Sequence, residues 1–341
     1  MPGRAVAWLG ALAVVGVFSL ASGTLAGQRS WSGPRTPWGD PDFQGVFTTD
    51  DELGVPFERP EEFGNRPVVT EEEFAQRDAQ SQRQAAADAE AFVAPRGETG
   101  RGGGGTGPPA HWIERGRPSR RSSVVIDPPD GRIPFVDEAA RRRAAVAVNA
   151  RTSGTGPFLG PEDLDLYDRC ITRGFPHVIF PTIYNNTTHV VQGPGFLAIG
   201  YEMIHDLRVI PIGDRPPLSP TIRHHFGDSH GRWEGDTLVV ETDKFTFNAQ
   251  SRFGVGYLNG LSDQHLRVIE RFTRVDAETL RYEVTVADPS TFSRPWTAAL
   301  SLRRDARQAQ IPEYACHEGN YAMFNSLSGA RAEERAAPRA R

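Results

Sequence analysis

The feature that most constrains this chain is a series of short segments in its C-terminal half in which apolar and polar residues alternate. Turn residues separate these segments, as at 233–237 and 275–279. The clearest segment, 280–286, has an apolar residue at every second position and charged residues or Thr between them. A period of two is typical of strands with one buried and one solvated face. The strands predicted in this way cover residues 188–192, 196–204, 207–212, 229–234, 237–242, 266–274, 279–287 and 295–303.

Eight short strands at this spacing predict a mainly β fold, with an antiparallel β-barrel or strongly curved sheet over residues 161–335. A barrel of about eight strands can enclose one small ligand. After the last strand, Tyr321, Phe324 and Leu327 have helical spacing. We expect them to form an amphipathic C-terminal helix that closes the barrel.

Residues 27–160 are predicted to wrap around the barrel and to add strands to it. Thr70 and Glu73 have the spacing of a capping box, which marks the start of a helix. The Pro-Pro-Asp-Gly sequence at 128–131 is typical of a turn between two strands. In chain order we expect a strand over 43–48, a helix from Thr70 to about Phe92, a flexible Gly-rich linker over 97–109 and a hairpin over 122–135.

Residues 1–26 have the three parts of a secretory signal peptide. Arg4 makes the start basic, residues 5–21 are apolar and uncharged, and residues 22–26 are mostly small. The alternative is an uncleaved membrane anchor, because the apolar run is close to the shortest that spans a bilayer. We expect cleavage before Gly27, and therefore a periplasmic or secreted protein without membrane attachment after the signal is removed.

The chain has two cysteines, Cys170 and Cys316. In an exported protein an even pair indicates a disulfide rather than a redox or metal site. The bridge would close a loop of about 145 residues, worth about 4–5 kcal/mol in the chain-entropy model. It would tie the beginning of the barrel domain to its end.

The formal net charge is −5, and charges of both signs occur throughout the chain. This balance argues against a nucleic-acid partner. The sequence contains no phosphate-binding loop, no dinucleotide-binding glycine motif and no nucleophile elbow. We therefore expect a small-molecule ligand or substrate and no cofactor. The oligomeric state does not follow from the sequence.

Two carboxylates occupy positions in predicted strands where the alternation of apolar and polar residues indicates that the side chain faces the interior. Glu202 belongs to a segment, 196–205, in which both faces are largely apolar, so we expect burial on both sides. A buried, unpaired carboxyl has a raised pKa and suits general acid or base catalysis. The alternative is a structural ion pair, with Arg208 or Arg223 as the partner. Glu270 follows the apolar phase of its strand, unless a bulge turns it outwards.

Other polar residues near Glu202 in the sequence are candidates for the same site. His205 is interpreted as a base, a ligand or a hydrogen-bonded structural residue, with Asp206 beside it. A Tyr or Asn side chain can bind a polar substrate group or an oxyanion, although an Asn pair more commonly forms a turn. His317 joins the site only if the C-terminal helix covers the barrel end. The predicted substrate-binding residues are Tyr184, Asn185, Tyr201, Glu270 and His317.

The densest group of histidine and acidic residues is His224, His225, Asp228 and His230. Imidazole and carboxylate groups suit zinc or another divalent metal. Their spacing matches no established metal motif, so an acid–base role for one histidine at the barrel mouth is the preferred interpretation. A divalent metal remains the alternative.

Five segments of the sequence together resemble a family of exported bacterial proteins of uncharacterised function, so the resemblance implies export and no particular activity. The strand-rich half is also similar in architecture to a lipocalin-like (calycin-like) barrel, which implies a fold and not a function. The five segments are WGDPDFQG (38–45), PPDGRIP (128–134), YEMIHD (201–206), GRWEGDTLVVET (231–242) and YACHEGNY (314–321).

The sequence favours an exported enzyme that performs acid–base chemistry without a cofactor on a small, partly apolar molecule. The reaction would be that of a lyase, isomerase, cyclase or hydrolase. One alternative is a protein that binds a small hydrophobic ligand without catalysis, and another is a divalent-metal-dependent enzyme. The predicted catalytic residues are Glu202 and His205, then Asp206, His224, His225 and Asp228.

Overall fold

The structure, a computed structural model, describes residues 33–89, 113–142, 144, 158–164, 166–246, 264–306 and 308–336. The predicted signal peptide, the Gly-rich linker and the predicted end of the first helix lie outside these residues. The described chain contains β1 Gly45–Thr48, α1 Glu71–Asp88, β2 Val125–Asp127, β3 Thr187–Gly193, β4 Phe196–Tyr201, β5 Leu207–Pro211, β6 Asp228–Glu234, β7 Thr237–Asp243, β8 Arg267–Arg274, β9 Thr279–Ala287, β10 Trp296–Arg304 and α2 Ala322–Ala336.

Nine strands form one antiparallel sheet that curves into a nearly closed barrel. The order of the strands is β5-β4-β3-β1-β10-β9-β8-β7-β6, and β2 pairs with the beginning of β10. The two ends of this order meet where Ile212, just after β5, forms a parallel bridge with Gly231 of β6. The predicted fold class is therefore confirmed. The chain reaches this arrangement because its alternating segments bury one face each.

Several strands bury every second residue, as predicted, whereas β7 and β10 each bury three consecutive residues. In β9 the residues Leu280, Tyr282 and Val284 are buried, and their neighbours face outwards. The segment 196–205 differs from the prediction, because β4 ends at Tyr201 and only one of its faces is buried. Phe196, on the other face, is 39% exposed.

The interior of the barrel is filled by side chains. Large residues on neighbouring strands pack against each other, and the paired residues Phe272 of β8 and Tyr282 of β9 have ring centroids 5.0 Å apart. Close packing of this kind resembles the core of an ordinary domain. Fully buried large residues are Phe43, Phe47, Phe175, Tyr201, Phe245, Phe272, Tyr282 and Trp296.

The N-terminal segment is part of the barrel. β1 lies between β3 and β10, and Glu52 after it accepts a hydrogen bond from Ser301 N on the edge of β10. The predicted capping box starts α1, with Thr70 and Glu73 bonded to each other's backbone. The hairpin predicted over 122–135 is wrong, because β2 pairs with β10 instead of with the segment after the turn.

The C-terminal helix α2 is present where the sequence predicts one, but it packs differently. None of its side chains is buried, and Phe324 is 70% exposed. Tyr321, just before it, is 69% exposed. The predicted apolar face of this helix therefore does not seal the barrel.

One ion pair lies inside the barrel. Arg208 Nη1 donates to Glu270 Oε1 at 2.9 Å, and Nη2 lies 2.6 Å from Oε2. Nη2 also donates to Ser229 and Thr242, and Tyr282 donates to Glu270 Oε1 at 3.1 Å. Burial works against the charge on Arg208, but Glu270 outweighs this effect and raises the pKa of the guanidinium. Glu270 therefore faces inwards, as predicted.

We expect Glu270→Gln to lower the free energy of unfolding by about 3–5 kcal/mol, because it leaves the buried charge of Arg208 without its partner. The double variant Arg208→Met/Glu270→Leu should lose much less, since both charges are removed. The measurement is urea unfolding of both variants. As a control, Arg232→Gln at an exposed pair should change stability by at most about 1 kcal/mol. Equal losses in the single and double variants would contradict this account of the pair.

Candidate functional site at one end of the barrel

One end of the barrel gathers most of the polar residues that the sequence singles out. Antiparallel pairing brings the start of β3, the end of β4 and the start of β5 together. The parallel bridge between β5 and β6 adds the start of β6, and pairing with β6 adds the end of β7. We call this the site end. The predicted residues located there are Tyr184, Asn185, Tyr201, Glu202, His205, Asp206 and Asp228.

Backbone strain is concentrated in the segments that meet at the site end. In the described chain the non-glycine residues with positive φ are Cys170, Asn185, Ile204, His205 and Lys244, with φ between 54° and 63°. Such values are uncommon for L-residues and least expected for β-branched Ile204. Strain of this kind persists where the surroundings hold it, and it is frequent at functional sites.

The first group of side chains at this end, which we call the carboxyl cluster, is Asp50, Glu114 and Glu202. Asn186 Nδ2 lies 3.0 Å from Asp50 Oδ1, 2.9 Å from Glu114 Oε2 and 2.7 Å from Thr182 O. One amide nitrogen carries two protons, so three acceptors compete for them. Glu114 also hydrogen-bonds directly with Asp50, which requires a proton on one of the two carboxyl groups.

That proton has a physical reason to stay on Glu114. Burial of its side chain, followed by the hydrogen bond and the charge of Asp50, raises the pKa of Glu114 to about 8. The charge of Glu202 adds to the shift. Glu114 is only half-buried, whereas Asp50 and Glu202 are buried. A half-buried carboxyl that titrates near neutral pH can both give and take a proton.

Glu202, the first predicted acid or base, has both oxygens engaged. Oε1 accepts a hydrogen bond from Asn185 Nδ2 at 2.8 Å, and Oε2 accepts one from Thr187 N at 3.1 Å. These bonds hold the left-handed residue Asn185 and the beginning of β3. Of the predicted ion-pair partners, Arg208 bonds to Glu270 instead, and Arg223 donates to Phe245 O.

The second group, which we call the tyrosine–arginine cluster, is Tyr167, Tyr184, Tyr314 and Arg173. The hydroxyls of Tyr167 and Tyr314 are 2.9 Å apart, and Tyr184 also hydrogen-bonds with Tyr167. Burial raises the pKa of Tyr167, so its phenol stays protonated. Arg173 is 2% exposed, and burial lowers its pKa to about 10, still high enough for a full charge at neutral pH. The cluster therefore combines a buried cation with hydroxyl groups that bond to one another, each contact having one donor and one acceptor.

A short loop joins the two clusters. Arg173 Nη1 donates to Thr182 Oγ1 at 3.3 Å, and this hydroxyl donates to Tyr184 O at 2.8 Å. Thr182 N donates to Asn186 Oδ1 at 2.6 Å, which orients the amide that faces Glu114. The two clusters consequently belong to one hydrogen-bond network.

Asp206 and His205 differ in their surroundings. The buried Asp206 accepts hydrogen bonds from Thr172 Oγ1 at 3.0 Å and from Arg173 N at 2.9 Å. Burial raises the pKa of Asp206 to about 6. His205 is exposed, and Tyr314 N points at its ring at 3.1 Å from Nε2. Asp206 thus holds the backbone of Arg173, and His205 supports Tyr314.

The histidine group around Asp228 lies apart from these clusters. His224 is exposed, and His225 Nδ1 is 3.0 Å from Thr246 Oγ1, with its pKa lowered by burial. Asp228 forms ion pairs with Lys244 at 2.9 Å and Arg215 at 3.2 Å. Among the residues that the structure describes, no three His, Cys, Asp or Glu side chains are arranged to hold a metal ion.

Three further predicted residues do not belong to the two clusters. Glu270 forms the ion pair with Arg208 inside the barrel, and His317 is exposed on the segment before α2. Tyr201 is 2% exposed, and its ring stacks on Phe226 with centroids 6.3 Å apart.

Sequence reasoning missed five residues of the two clusters. For Tyr167 and Tyr314 a signal existed, because each lies within three positions of a cysteine predicted to form the disulfide. That bridge is present, with the Cα atoms of Cys170 and Cys316 5.8 Å apart. For Arg173, Asp50 and Glu114 the sequence carries no comparable signal.

No family model, no curated protein and no solved structure matches this chain. The resemblance to exported bacterial proteins therefore stays a prediction. In the part of the chain that the structure describes, no helix has both the length and the apolar character needed to cross a bilayer. The disulfide is typical of proteins in oxidising compartments.

We expect the double variant Cys170→Ser/Cys316→Ser to keep the barrel but to release the segment 308–336. The reason is that α2 buries no side chain, so the disulfide and a few hydrogen bonds, such as those from Arg331 to Phe158 O and Leu159 O, attach the segment. Limited proteolysis should cut this segment first in the variant and much later in the oxidised protein. Urea unfolding should show a loss of about 4–5 kcal/mol. Equal cleavage rates would show that other contacts hold the segment.

The raised pKa of Glu114 predicts a pH dependence of stability. Between the ordinary value of 4.5 and about 8 the folded protein holds a proton that the unfolded chain has lost. The contribution of Glu114 is therefore present below pH 4.5 and is lost as the pH rises through 8. Urea midpoints measured from pH 5 to pH 9 should fall more steeply for wild type than for Glu114→Gln. Parallel profiles would contradict the shifted pKa.

Proposed function

We propose that this protein is an exported enzyme that performs acid–base chemistry, without a cofactor, on a small and partly apolar molecule at the site end. The observation that carries the proposal is the proton-sharing pair of Asp50 and Glu114, with Asn186 bonded to both. The filled interior of the barrel favours its end over its centre as the place of reaction.

Glu114 is the proton donor and acceptor in this proposal. Asp50 is the buried partner that keeps the shared proton in the pair, and Glu114 is the member that solvent and substrate can reach. The titration of Glu114 near pH 8 supports this role, because proton transfer is most efficient when the pKa lies near the working pH.

The tyrosine–arginine cluster supplies the second requirement, which is stabilisation of negative charge. Protonated phenols above a buried guanidinium present several donors in fixed positions. Donors of this kind stabilise an oxygen that becomes negative in the transition state, such as that of an enolate. Lyase, isomerase, cyclase and hydrolase reactions form such an oxygen when they remove a proton next to a carbonyl group or add a nucleophile to one.

Glu202 and Asp206 act as positioning residues. Glu202 holds the loop that carries Asn185 and Asn186, and Asp206 holds the backbone of Arg173. His205 supports Tyr314 from outside. The residues predicted as the first catalytic pair therefore contribute through the groups they hold.

Export fits the same picture. The disulfide between Cys170 and Cys316 supports an oxidising compartment, and the N-terminal 26 residues have the pattern of a signal peptide. We place the enzyme in the periplasm or outside the cell on these two grounds.

The test is proton exchange in deuterated water, which reports abstraction of a proton without knowledge of the product. A panel of small keto acids, hydroxy acids and cyclic ketones is incubated with the protein and followed by proton NMR. We expect at least one compound to exchange with wild type. Glu114→Gln should lower the rate by about 100-fold or more. Glu202→Gln should lower the rate less, because the amide oxygen of Gln can still accept one of the two hydrogen bonds.

The control is Glu72→Gln, the same substitution at an exposed position on α1, which should react like wild type. Unchanged exchange in a folded Glu114→Gln variant would refute the proposal. The second candidate function is binding without catalysis, because the same donors hold an anion equally well. Native mass spectrometry of the purified protein distinguishes the two. A stoichiometric, unchanged organic ligand without any exchange activity would favour binding.

A further inference from the structure

A second cleft lies on the outside of the barrel, between the segment 213–217 and the outer faces of β6, β7 and β8. It shares no lining residue with the carboxyl cluster or the tyrosine–arginine cluster. Its volume of about 430 Å³ is within the range of small-molecule sites. The side chains that matter for its chemistry are Arg215, Pro217, His230, Lys244, Arg267 and Ile269.

A buried carboxylate organises this cleft. The side chain of Asp228 is 2% exposed and lies 2.9 Å from Lys244 Nζ, 3.1 Å from His230 Nε2 and 3.2 Å from Arg215 Nη2. It also accepts a hydrogen bond from Leu218 N at 2.8 Å. These contacts fix the loop over the cleft and the two side chains at its wall. Lys244 has φ of 57°, so the backbone is held in an unfavourable conformation at the same place.

The position of Asp228 determines what His230 offers to a ligand. A carboxylate only accepts hydrogen bonds, so a neutral imidazole carries its proton on the nitrogen that faces it, which is Nε2. Nε2 lies 3.1 Å from Asp228 Oδ2 and makes no hydrogen bond to any other residue that the structure describes. Nδ1 then has a free lone pair, and it makes no hydrogen bond to the described residues. His230 can therefore accept a hydrogen bond from a hydroxyl group in the cleft.

The cations that line the cleft are paired with carboxylates, except for Arg267. Arg232 is bonded to Glu241, and Lys244 pairs with Asp243 as well as with Asp228. Arg267 lines the cleft and has neither an ion pair nor a hydrogen bond to any residue that the structure describes. Asp214 also lines the cleft, and both Asp214 and Arg267 are exposed, so water screens both charges.

An apolar wall lies beside Arg267. Ile269, two residues along β8, faces outwards and is 38% exposed, and Pro217 belongs to the covering loop. An outward-facing Ile on a strand exposes apolar surface to water unless something covers it. A free cation, an apolar wall and a hydrogen-bond acceptor thus line one cleft.

We propose that this cleft is a second binding site, which takes a small carboxylate with an apolar body and a hydroxyl group. Arg267 binds the carboxylate, Ile269 and Pro217 pack against the apolar body, and His230 Nδ1 accepts from the hydroxyl. This site is independent of the proposed reaction at the site end.

The test is an NMR titration with 4-hydroxybenzoate as the probe and its methyl ester as the uncharged comparison. We expect the acid to shift the backbone amide signals of Gly231 and Ile269 and to bind about fivefold more tightly than the ester, because the ester loses the ion pair with the exposed Arg267. Arg267→Gln should reduce the affinity for the acid by a similar factor and leave that for the ester unchanged.

Arg281→Gln is the matched control, since Arg281 lies on the outer face of β9, pairs with Glu283 and does not line the cleft. It should bind the acid like wild type. Glu114→Gln should also bind like wild type, which separates this site from the one at the barrel end. The proposal is overturned if the acid and the ester bind equally, if Arg267→Gln binds like wild type, or if millimolar acid leaves both amide signals unmoved.

Discussion

The ion pair between Arg208 and Glu270 is the interaction on which the barrel depends. Backbone pairing closes the ring only weakly, because β5 and β6 meet in a single parallel bridge. Arg208 projects from β5 at this seam and bonds to Ser229 of β6, Thr242 of β7 and Glu270 of β8. One side chain thus ties four neighbouring strands together where the ladder is incomplete. Such a buried charge is costly to place in a core and is tolerated only when every donor finds an acceptor.

The closed seam also determines the shape of the site end. Arg208 fixes the beginning of β5, so the chain must turn between Tyr201 and Leu207 within a few residues. Ile204 and His205 absorb this turn in left-handed conformations. The turn directs Asp206 inwards, where it holds the backbone of Arg173. The strain near the tyrosine–arginine cluster is therefore a consequence of how the barrel closes.

The strands could be predicted from the sequence because the alternation of apolar and polar residues is a local pattern. The same pattern predicts that Glu270 faces the interior of the barrel. Glu202 is buried as predicted, but its hydrogen-bond partners could not be predicted, because nothing local indicates that β4 ends at Tyr201 or that Ile204 adopts a positive φ. The insertion of β1 between β3 and β10 depends on pairing with residues more than a hundred positions away. The disulfide could be predicted from the expected export and from the presence of two cysteines. Because it joins Cys170 to Cys316, it also indicates that Tyr167 lies near Tyr314.

The carboxyl pair shows why the N-terminal segment belongs to the functional unit. Asp50 follows β1, and Glu114 comes from the stretch before β2, whereas Asn186 and Glu202 come from the barrel strands. A barrel formed by residues 161–335 alone would have an open edge between β3 and β10 and neither member of the pair. Inserting β1 therefore does two things at once. It completes the sheet, and it delivers Asp50 to the place where a proton can be shared with Glu114. The acid–base group exists only when the ring is complete, so the fold and the proposed chemistry depend on the same strand.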